Sequence, residues 1–136
     1  MTLIRPSREL LEEPYWKGLA DGALLVQRCS GCRAHRHPPN PICAECHSFA
    51  HEWIAASGVA HLYSFTVAHH PVHATLESRV PYVVALVDLE EGVRMVTAIK
   101  DAAASELRIG MRLKCTIETL SPGFALPYFV PDAQHE

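Results

Sequence analysis

The sequence predicts a mainly β protein with a helical segment near its N-terminal end. Three observations support this prediction. Apolar and polar residues alternate with a period of two along several stretches of the second half of the chain. Ten prolines and seven glycines in 136 residues favour short elements joined by many turns. Four of the five cysteines form two closely spaced pairs in turn-rich sequence.

The N-terminal part, residues 1–27, is predicted to be a helical segment. Pro14 suits the first turn of a helix, where its missing amide proton costs nothing. Gly22 is a suitable C-terminal stop. Tyr15, Trp16 and Leu19 then fall on one side of this helix, and we expect that side to dock on the rest of the protein.

The next part, residues 28–50, contains both cysteine pairs and is predicted to be a zinc ribbon. Each CxxC pair closes a tight turn that directs two thiolates at one point, and two such turns supply the four sulfurs of a tetrahedral zinc site. Four thiolates leave no open position for water or substrate, so we expect one structural zinc ion per chain. The predicted ligands are Cys29, Cys32, Cys43 and Cys46.

Three other uses of these cysteines are weaker interpretations. Two disulfides would need an oxidising compartment, but Arg5 follows the first four residues directly and no secretory signal is apparent, so we expect a cytoplasmic protein. The stretch from Cys43 to His47 fits the CxxCH pattern of covalent haem attachment, which would leave Cys29 and Cys32 without a role. A redox CxxC normally opens a helix in a βαβ setting, which is not predicted here.

The third part, residues 51–136, is predicted to be all β. A short helical piece at residues 102–107 precedes the fourth strand. Five strands with a helical insertion at that point fit a closed Greek-key barrel of the oligonucleotide/oligosaccharide-binding (OB) type, although an open sandwich would give the same pattern. The predicted strands cover residues 61–67, 81–89, 93–100, 111–119 and 127–130.

The alternation also assigns side chains to the two faces of these strands. In the first strand it places Tyr63, Phe65 and Val67 together on one face. In the fourth strand it places Cys115 on the inner face, so we interpret this residue as an inert core thiol and not as a nucleophile.

The order of several motifs resembles a family of bacterial and archaeal proteins known as domain-of-unknown-function family thirty-five. These proteins join an N-terminal helical hairpin, a rubredoxin-like zinc ribbon and a C-terminal OB-fold. His47 stands where that family usually has glycine, so we expect another residue to take the tight turn there. The matching stretches are Tyr15-Trp16, Gly18-Leu19, Gly22, Pro38-Pro39, Trp53 and residues 25–32, 43–48, 57–59, 81–89, 91–94 and 107–111.

The resemblance implies an accessory role in acyl-CoA metabolism. Such proteins are similar to non-catalytic subunits that form hetero-oligomers with thiolase-like enzymes, lipid-transfer-protein-type aldolases or acyl-CoA hydratases. The resemblance also implies that the barrel binds acyl-CoA or helps a partner to do so. Coenzyme A needs cations for its phosphates, and Arg79, just before the second barrel strand, is our first candidate.

Composition bears on the alternative functions. The chain carries 15 acidic and 12 basic residues, so it lacks the basic excess expected of a single-stranded nucleic-acid-binding module, which is our second hypothesis. No apolar run approaches the roughly 20 residues of a membrane span. An independent enzyme is the third hypothesis, because His69, His70 and His73 form a cluster, but no carboxylate or cysteine accompanies them.

Overall fold

The computed structural model describes residues 10–132; the outer ends of the predicted first and third parts, residues 1–9 and 133–136, lie outside this range. The described elements are the helix α1 (Glu13–Ala20) and the strands β1 (Leu25–Cys29), β2 (His35–Arg36), β3 (His51–Ala55), β4 (Val59–Ala68), β5 (Tyr82–Leu89), β6 (Arg94–Ile99), β7 (Arg112–Ser121) and β8 (Phe124–Pro131).

Helix α1 forms and ends where the sequence predicts. Pro14 occupies its first turn, and Gly22 adopts a φ of 91° that reverses the chain after the last turn. The Ala23 amide donates to the Gly18 carbonyl at 2.8 Å, which satisfies one of the terminal carbonyls. Tyr15 and Leu19 are buried, so the predicted docking side of the helix is confirmed.

The cysteine pairs belong to a small antiparallel sheet with the strand order β2–β1–β3. Strand β1 begins at Leu25 and ends at the first cysteine, and β3 runs beside it over its full length from Ala55 to His51. The residues between β2 and β3 form the second knuckle, which lies outside the strands. This sheet therefore delivers Cys29 directly from a strand and Cys43 from a loop.

The remaining five strands form a closed barrel in the order β4–β5–β6–β8–β7, and β4 pairs with β7 to close it. β6 and β8 are parallel neighbours, with Ile99 opposite Phe129, and the other pairs are antiparallel. This is the predicted OB-fold. The largest barrel side chains with almost no accessible surface are Leu62, Val87, Leu113 and Phe129.

The structure corrects the predicted face of Tyr63. A β-bulge shifts the register of β4 between Leu62 and Ser64, so the alternation restarts at this point. Phe65 and Val67 pack against the core, whereas Tyr63 is 48% exposed and faces outward beneath the guanidinium of Arg94, 3.4 Å from the ring centroid. A period-two pattern cannot reveal the extra residue of a bulge.

Two further details differ from the sequence prediction. The last strand is longer than expected and covers Phe124–Pro131, because it pairs with β7 over almost its whole length. Cys115 is only half-buried in β7, although it has the predicted inward parity and packs against the core. Burial raises the pKa of its thiol to about 11, which agrees with an inert thiol.

Helix α1 joins the two sheets. It packs against β8 of the barrel and against β1 of the ribbon, and the Tyr15 ring lies 5.5 Å from the ring of His37 at the end of β2. Gly18 allows the close approach, since a Cβ atom there would lie 2.7 Å from the Leu25 side chain. Within residues 10–132, no helix has the length and apolar character needed to cross a membrane.

Candidate metal centre and ligand cleft

The four predicted zinc ligands converge at one point. The sulfur atoms of Cys29, Cys32, Cys43 and Cys46 all lie within 4.8 Å of one another. The Cys29–Cys46 sulfur separation is 3.5 Å and the Cys32–Cys43 separation is 3.6 Å. Tetrahedral zinc with bonds of about 2.3 Å requires sulfur separations of roughly 3.8 Å, so the cluster fits this ion. The four cysteines are positioned to bind one zinc ion, and all are free thiols.

Backbone amides surround the first sulfur of each pair. The amides of Gly31 and Cys32 donate to Cys29 Sγ at 3.3 and 3.5 Å, and the amide of Glu45 donates to Cys43 Sγ at 3.4 Å. These hydrogen bonds stabilise thiolates and orient them, which is the role expected of groups around a metal ligand.

The two knuckles share a backbone conformation that was not predicted from the sequence. The residue after each pair, Arg33 or His47, adopts the left-handed conformation, with φ of 67° and 64°. The Arg33 amide donates to the Cys29 carbonyl at 3.0 Å, and the His47 amide donates to the Cys43 carbonyl at 2.9 Å. The expectation that another residue would take the turn in place of His47 is therefore wrong, because His47 takes it itself.

The electrostatics of the cluster are those of a site made for a cation. The amide of Cys32 and other nearby donors lower the pKa of Cys29 to about 6, and the amides of Cys46 and Glu45 lower the pKa of Cys43. Cys32 receives a hydrogen bond from the Ala34 backbone, but hydrogen bonds with neighbouring thiol groups raise its pKa to about 12. Four negative sulfurs this close require a bound positive charge, which zinc supplies.

A separate cleft of about 480 Å³ is lined by residues of α1, β6 and β8 and of the segment that joins β4 to β5. Its volume is typical of a small-molecule site. Arg79, the predicted cofactor-binding residue, is exposed and belongs to its lining. Its lining also includes Trp16, Val96, Lys100, Glu118 and Tyr128.

The cations of the cleft differ in their partners. Lys100 pairs with Glu118 at 3.3 Å and lies 4.9 Å from the Tyr128 ring centroid. Arg79 lies near Tyr128, where its charge acts to lower the pKa of the hydroxyl, and it has no carboxylate partner among residues 10–132. Burial, and then the charge of Glu118, raise the pKa of the Tyr128 hydroxyl, so it stays protonated at neutral pH. Two other arginines pair with carboxylates outside the cleft: Arg94 with Asp88 and Arg112 with Asp132.

Sequence reasoning missed this cleft because its wall joins residues far apart in the chain. For Trp16 the sequence favours docking on the domain over a binding patch, and it assigns no role to Tyr128. A second cavity of about 620 Å³, which includes Cys115 in its wall, lies between the end of α1, the end of β3 and β7.

The histidine cluster does not form a metal site in the described part of the chain, where the cysteine set is the only group of three or more suitable ligands. His69 and His70 are exposed. His73 instead begins a 3₁₀ turn, since its Nδ1 accepts the Thr75 amide at 3.1 Å. The structure thus gives these three residues no common site.

Comparison with known proteins agrees with this architecture. Residues 16–52 match the family model "ChsH2, rubredoxin-like zinc ribbon domain", and residues 53–118 match "ChsH2, C-terminal OB-fold domain". A solved structure called "Ltp2-ChsH2(DUF35) aldolase" contains a chain with 38% sequence identity and a TM-score of 0.85; the match covers 93% of this chain and 98% of that chain.

Two curated relatives are longer proteins. A probable enoyl-CoA hydratase alpha subunit from Thermomonospora curvata is 42% identical over 83% of this chain and 35% of the relative. The 3-oxo-4,17-pregnadiene-20-carboxyl-CoA hydratase alpha subunit of Mycobacterium tuberculosis is 33% identical over 96% of this chain and 40% of the relative. The matched region thus covers less than half of either relative's length. From the two domain matches and the solved structure together, the chain belongs to the DUF35 family, with the zinc ribbon and OB-fold of ChsH2.

Proposed function

We propose that this protein is a non-catalytic accessory subunit of an acyl-CoA enzyme, and that it binds acyl-CoA and braces a thiolase-like, aldolase or hydratase partner. The relatives named above support this proposal, since two are hydratase alpha subunits and one is part of an aldolase. The substrate named for the second of these relatives suggests steroid side-chain or other lipid metabolism, and we place the protein in the cytoplasm. The zinc ion has a structural role, because four thiolates complete its coordination.

The cleft beside Arg79 is the observation that carries the acyl-CoA part of the proposal. It combines apolar and aromatic walls with a cation that no carboxylate neutralises among the described residues. A guanidinium of this kind suits a phosphate oxygen, and Arg79 lines the cleft together with Tyr128. A ligand with an apolar part and a phosphate part would therefore match both features.

The partner is tested by purifying the natively expressed, tagged protein from its own host. We expect a thiolase-, aldolase- or hydratase-like chain to co-purify in a fixed ratio. A protein that elutes alone, and that binds no acyl-CoA in calorimetry, would contradict the proposal.

The ligand site is tested by calorimetry with an acyl-CoA on the purified complex. Arg79→Gln should weaken binding at least tenfold, because a charge-assisted hydrogen bond to a phosphate is lost. Arg108→Gln is the matched control, since Arg108 is also exposed but does not line the cleft. Equal losses from both substitutions would argue against a specific role for Arg79.

A further inference from the structure

Strand β7 extends beyond the start of β4, the strand that it pairs with to close the barrel. β4 begins at Val59, which lies opposite Lys114 of β7. The last hydrogen bond on this side of β7 runs from the Cys115 amide to the Gly58 carbonyl at 2.7 Å. In the described chain, the rest of β7 therefore pairs with β8 alone. We call the other side of residues 116–121 the open edge.

The backbone groups of Ile117 and Thr119 face the open edge. Along an antiparallel strand, successive residues direct their amide and carbonyl groups to opposite sides, so Ile117 and Thr119 follow the direction of Cys115. Pro127 of β8 lies opposite Ile117 and has no amide to donate, which agrees with this direction. Among residues 10–132, no backbone hydrogen bond from outside the β7–β8 pair reaches Ile117 or Thr119. Two amides and two carbonyls are therefore available for pairing.

The linker that precedes β4 is fixed in a position that leaves this edge open. The Ala56 amide donates to the Leu24 carbonyl at 2.8 Å, so the chain is still bonded to the ribbon at this residue. Gly58, with a φ of 88°, is the first residue that bonds to β7. Between them, the Ser57 amide donates to the Glu91 carboxylate at 2.9 Å. These contacts on both sides keep the linker from continuing along β7.

The open edge forms one wall of the second cavity, since Ile117 and Thr119 line it. The end of α1 and the segment at residues 55–58 form the opposite walls. Of the described residues that line this cavity, none is charged and most are Gly, Ala, Ser or Thr. Residues 115–119 also contain no proline or lysine, which commonly protect strand edges from pairing. The cavity therefore suits an extended peptide with small, uncharged side chains.

We propose that the open edge receives an extended, uncharged segment of the partner subunit, which adds a strand to β7. This inference rests on the proposed accessory function and specifies how the partner is bound. The open edge of a second copy of this chain does not fit, because it lies in the same recess and two recessed edges cannot meet. A segment of about five residues, which is a usual strand length, matches residues 116–121. Backbone hydrogen bonds supply the affinity in this mode of binding.

Hydrogen exchange on the complex and on this chain alone tests the proposal directly. In the free chain, the amides of Ile117 and Thr119 should exchange rapidly, because they have no acceptor on the open edge. The Cys115 amide should be protected in both states by its bond to Gly58. In the complex, exchange at Ile117 and Thr119 should slow at least about tenfold, since both amides gain an acceptor.

Two substitutions test the edge and the recess. Thr119 is exposed and its amide faces away from β8, so Thr119→Pro removes an edge donor but no bond of the β7–β8 ladder. We expect the dissociation constant of the complex to rise at least about tenfold, whereas Thr119→Ala, which keeps the amide, should change it less than about threefold. Ala20→Arg places a long charged side chain in the cavity and should weaken the complex similarly. Ser105→Arg, at an exposed residue outside the cavity, is its control.

Three results would overturn the inference, and they are distinguishable. If the complex forms but exchange at Ile117 and Thr119 does not slow, the partner binds elsewhere and the proposed accessory function stands. If exchange slows in the isolated chain as its concentration rises, a second copy is the occupant. If no partner co-purifies, the proposed function fails and this inference fails with it. Because the exchange comparison uses the unmodified protein, it gives an answer even if Thr119→Pro fails to fold.

Discussion

Different forces stabilise the zinc ribbon and the barrel. In the barrel, buried apolar side chains from five strands fill a continuous interior that includes Leu62, Val87 and Phe129. In the ribbon, few side chains are buried, and two of them, Cys29 and Cys43, are metal ligands. The barrel therefore depends on the hydrophobic effect, whereas the two knuckles of the ribbon depend on a metal ion in place of a core. This difference predicts that the two regions respond separately to mutation.

The largest effect should follow loss of a zinc ligand. Cys43→Ser replaces a buried thiolate by a hydroxyl that binds zinc poorly, and structural zinc in small domains contributes about 10–16 kcal/mol of binding free energy. We expect zinc content to fall from one ion per chain to nearly none. In hydrogen exchange, the amides of Arg33 and His47 should lose protection, while the barrel amides of Leu89 and Lys100 should retain it.

Cys115→Ser is the matched control for this experiment. Cys115 lies half-buried in β7 and is not part of the sulfur cluster, so the variant should keep its zinc. If the barrel amides lost protection together with those of the ribbon in Cys43→Ser, the two regions would form one cooperative unit and the comparison would be wrong.

The converse experiment weakens the barrel. Leu113 has no accessible surface, and Leu113→Ala leaves a cavity that should cost about 2–5 kcal/mol of unfolding free energy. The midpoint of thermal unfolding should fall by about 10 °C, with zinc content unchanged. Val96→Ala, at a side chain that is 66% exposed, should change stability by less than about 0.5 kcal/mol. Zinc loss in folded Leu113→Ala protein would show that the barrel supports the metal site.

A smaller effect is expected at the joint between the regions. Gly18→Ala places a Cβ atom 2.7 Å from the Leu25 side chain, so this side chain or α1 must shift. Overpacking of this kind costs about 1–3 kcal/mol, partly offset by the better helix propensity of alanine. We expect a net loss of about 1 kcal/mol in chemical denaturation. The double variant with Leu25→Ala should show favourable coupling between the two sites. A Gly18→Ala variant that is more stable than the wild type would contradict this close contact.

The sequence predicted the features that depend on local spacing. The CxxC pairs identified the four ligands because sulfur geometry follows from a few neighbouring residues. Pro14 and Gly22 gave the limits of α1, since each acts through its own backbone angles. Val93, Met95, Thr97 and Ile99 alternate along the strand predicted at residues 93–100, and all four are buried.

The features that it missed depend on tertiary contacts or on a single extra residue. The bulge at Tyr63 moves one side chain to the opposite face of the strand, and no turn residue in the sequence marks its position. The cleft joins Trp16 of α1 to Arg79 and Tyr128, which lie in different parts of the chain, and no pattern in the sequence links them. The left-handed conformation of His47 was missed because glycine is the residue most often found in it.

The smallest predicted effect is at His47. It tests whether the knuckles form a metal site with little side-chain packing. His47 is exposed and has a φ of 64°, which costs a side-chain-bearing residue about 1–2 kcal/mol relative to glycine's freedom. Replacement by glycine would remove this strain, but the greater conformational entropy of glycine in the unfolded chain offsets part of the stability gained. His47→Gly should therefore stabilise the zinc-bound ribbon by about 0.5 kcal/mol, measured as a roughly twofold higher zinc affinity in competition with a chelator.

Two matched variants decide whether backbone strain is the cause. Arg33→Gly should have a similar effect, because Arg33 is exposed and takes the equivalent position in the first knuckle with a φ of 67°. Ala44→Gly should instead weaken zinc binding, since Ala44 is exposed in the second knuckle but does not have a positive φ. If all three substitutions weakened zinc binding alike, the knuckles would depend on side-chain contacts, and the contrast with the barrel core would be smaller than proposed.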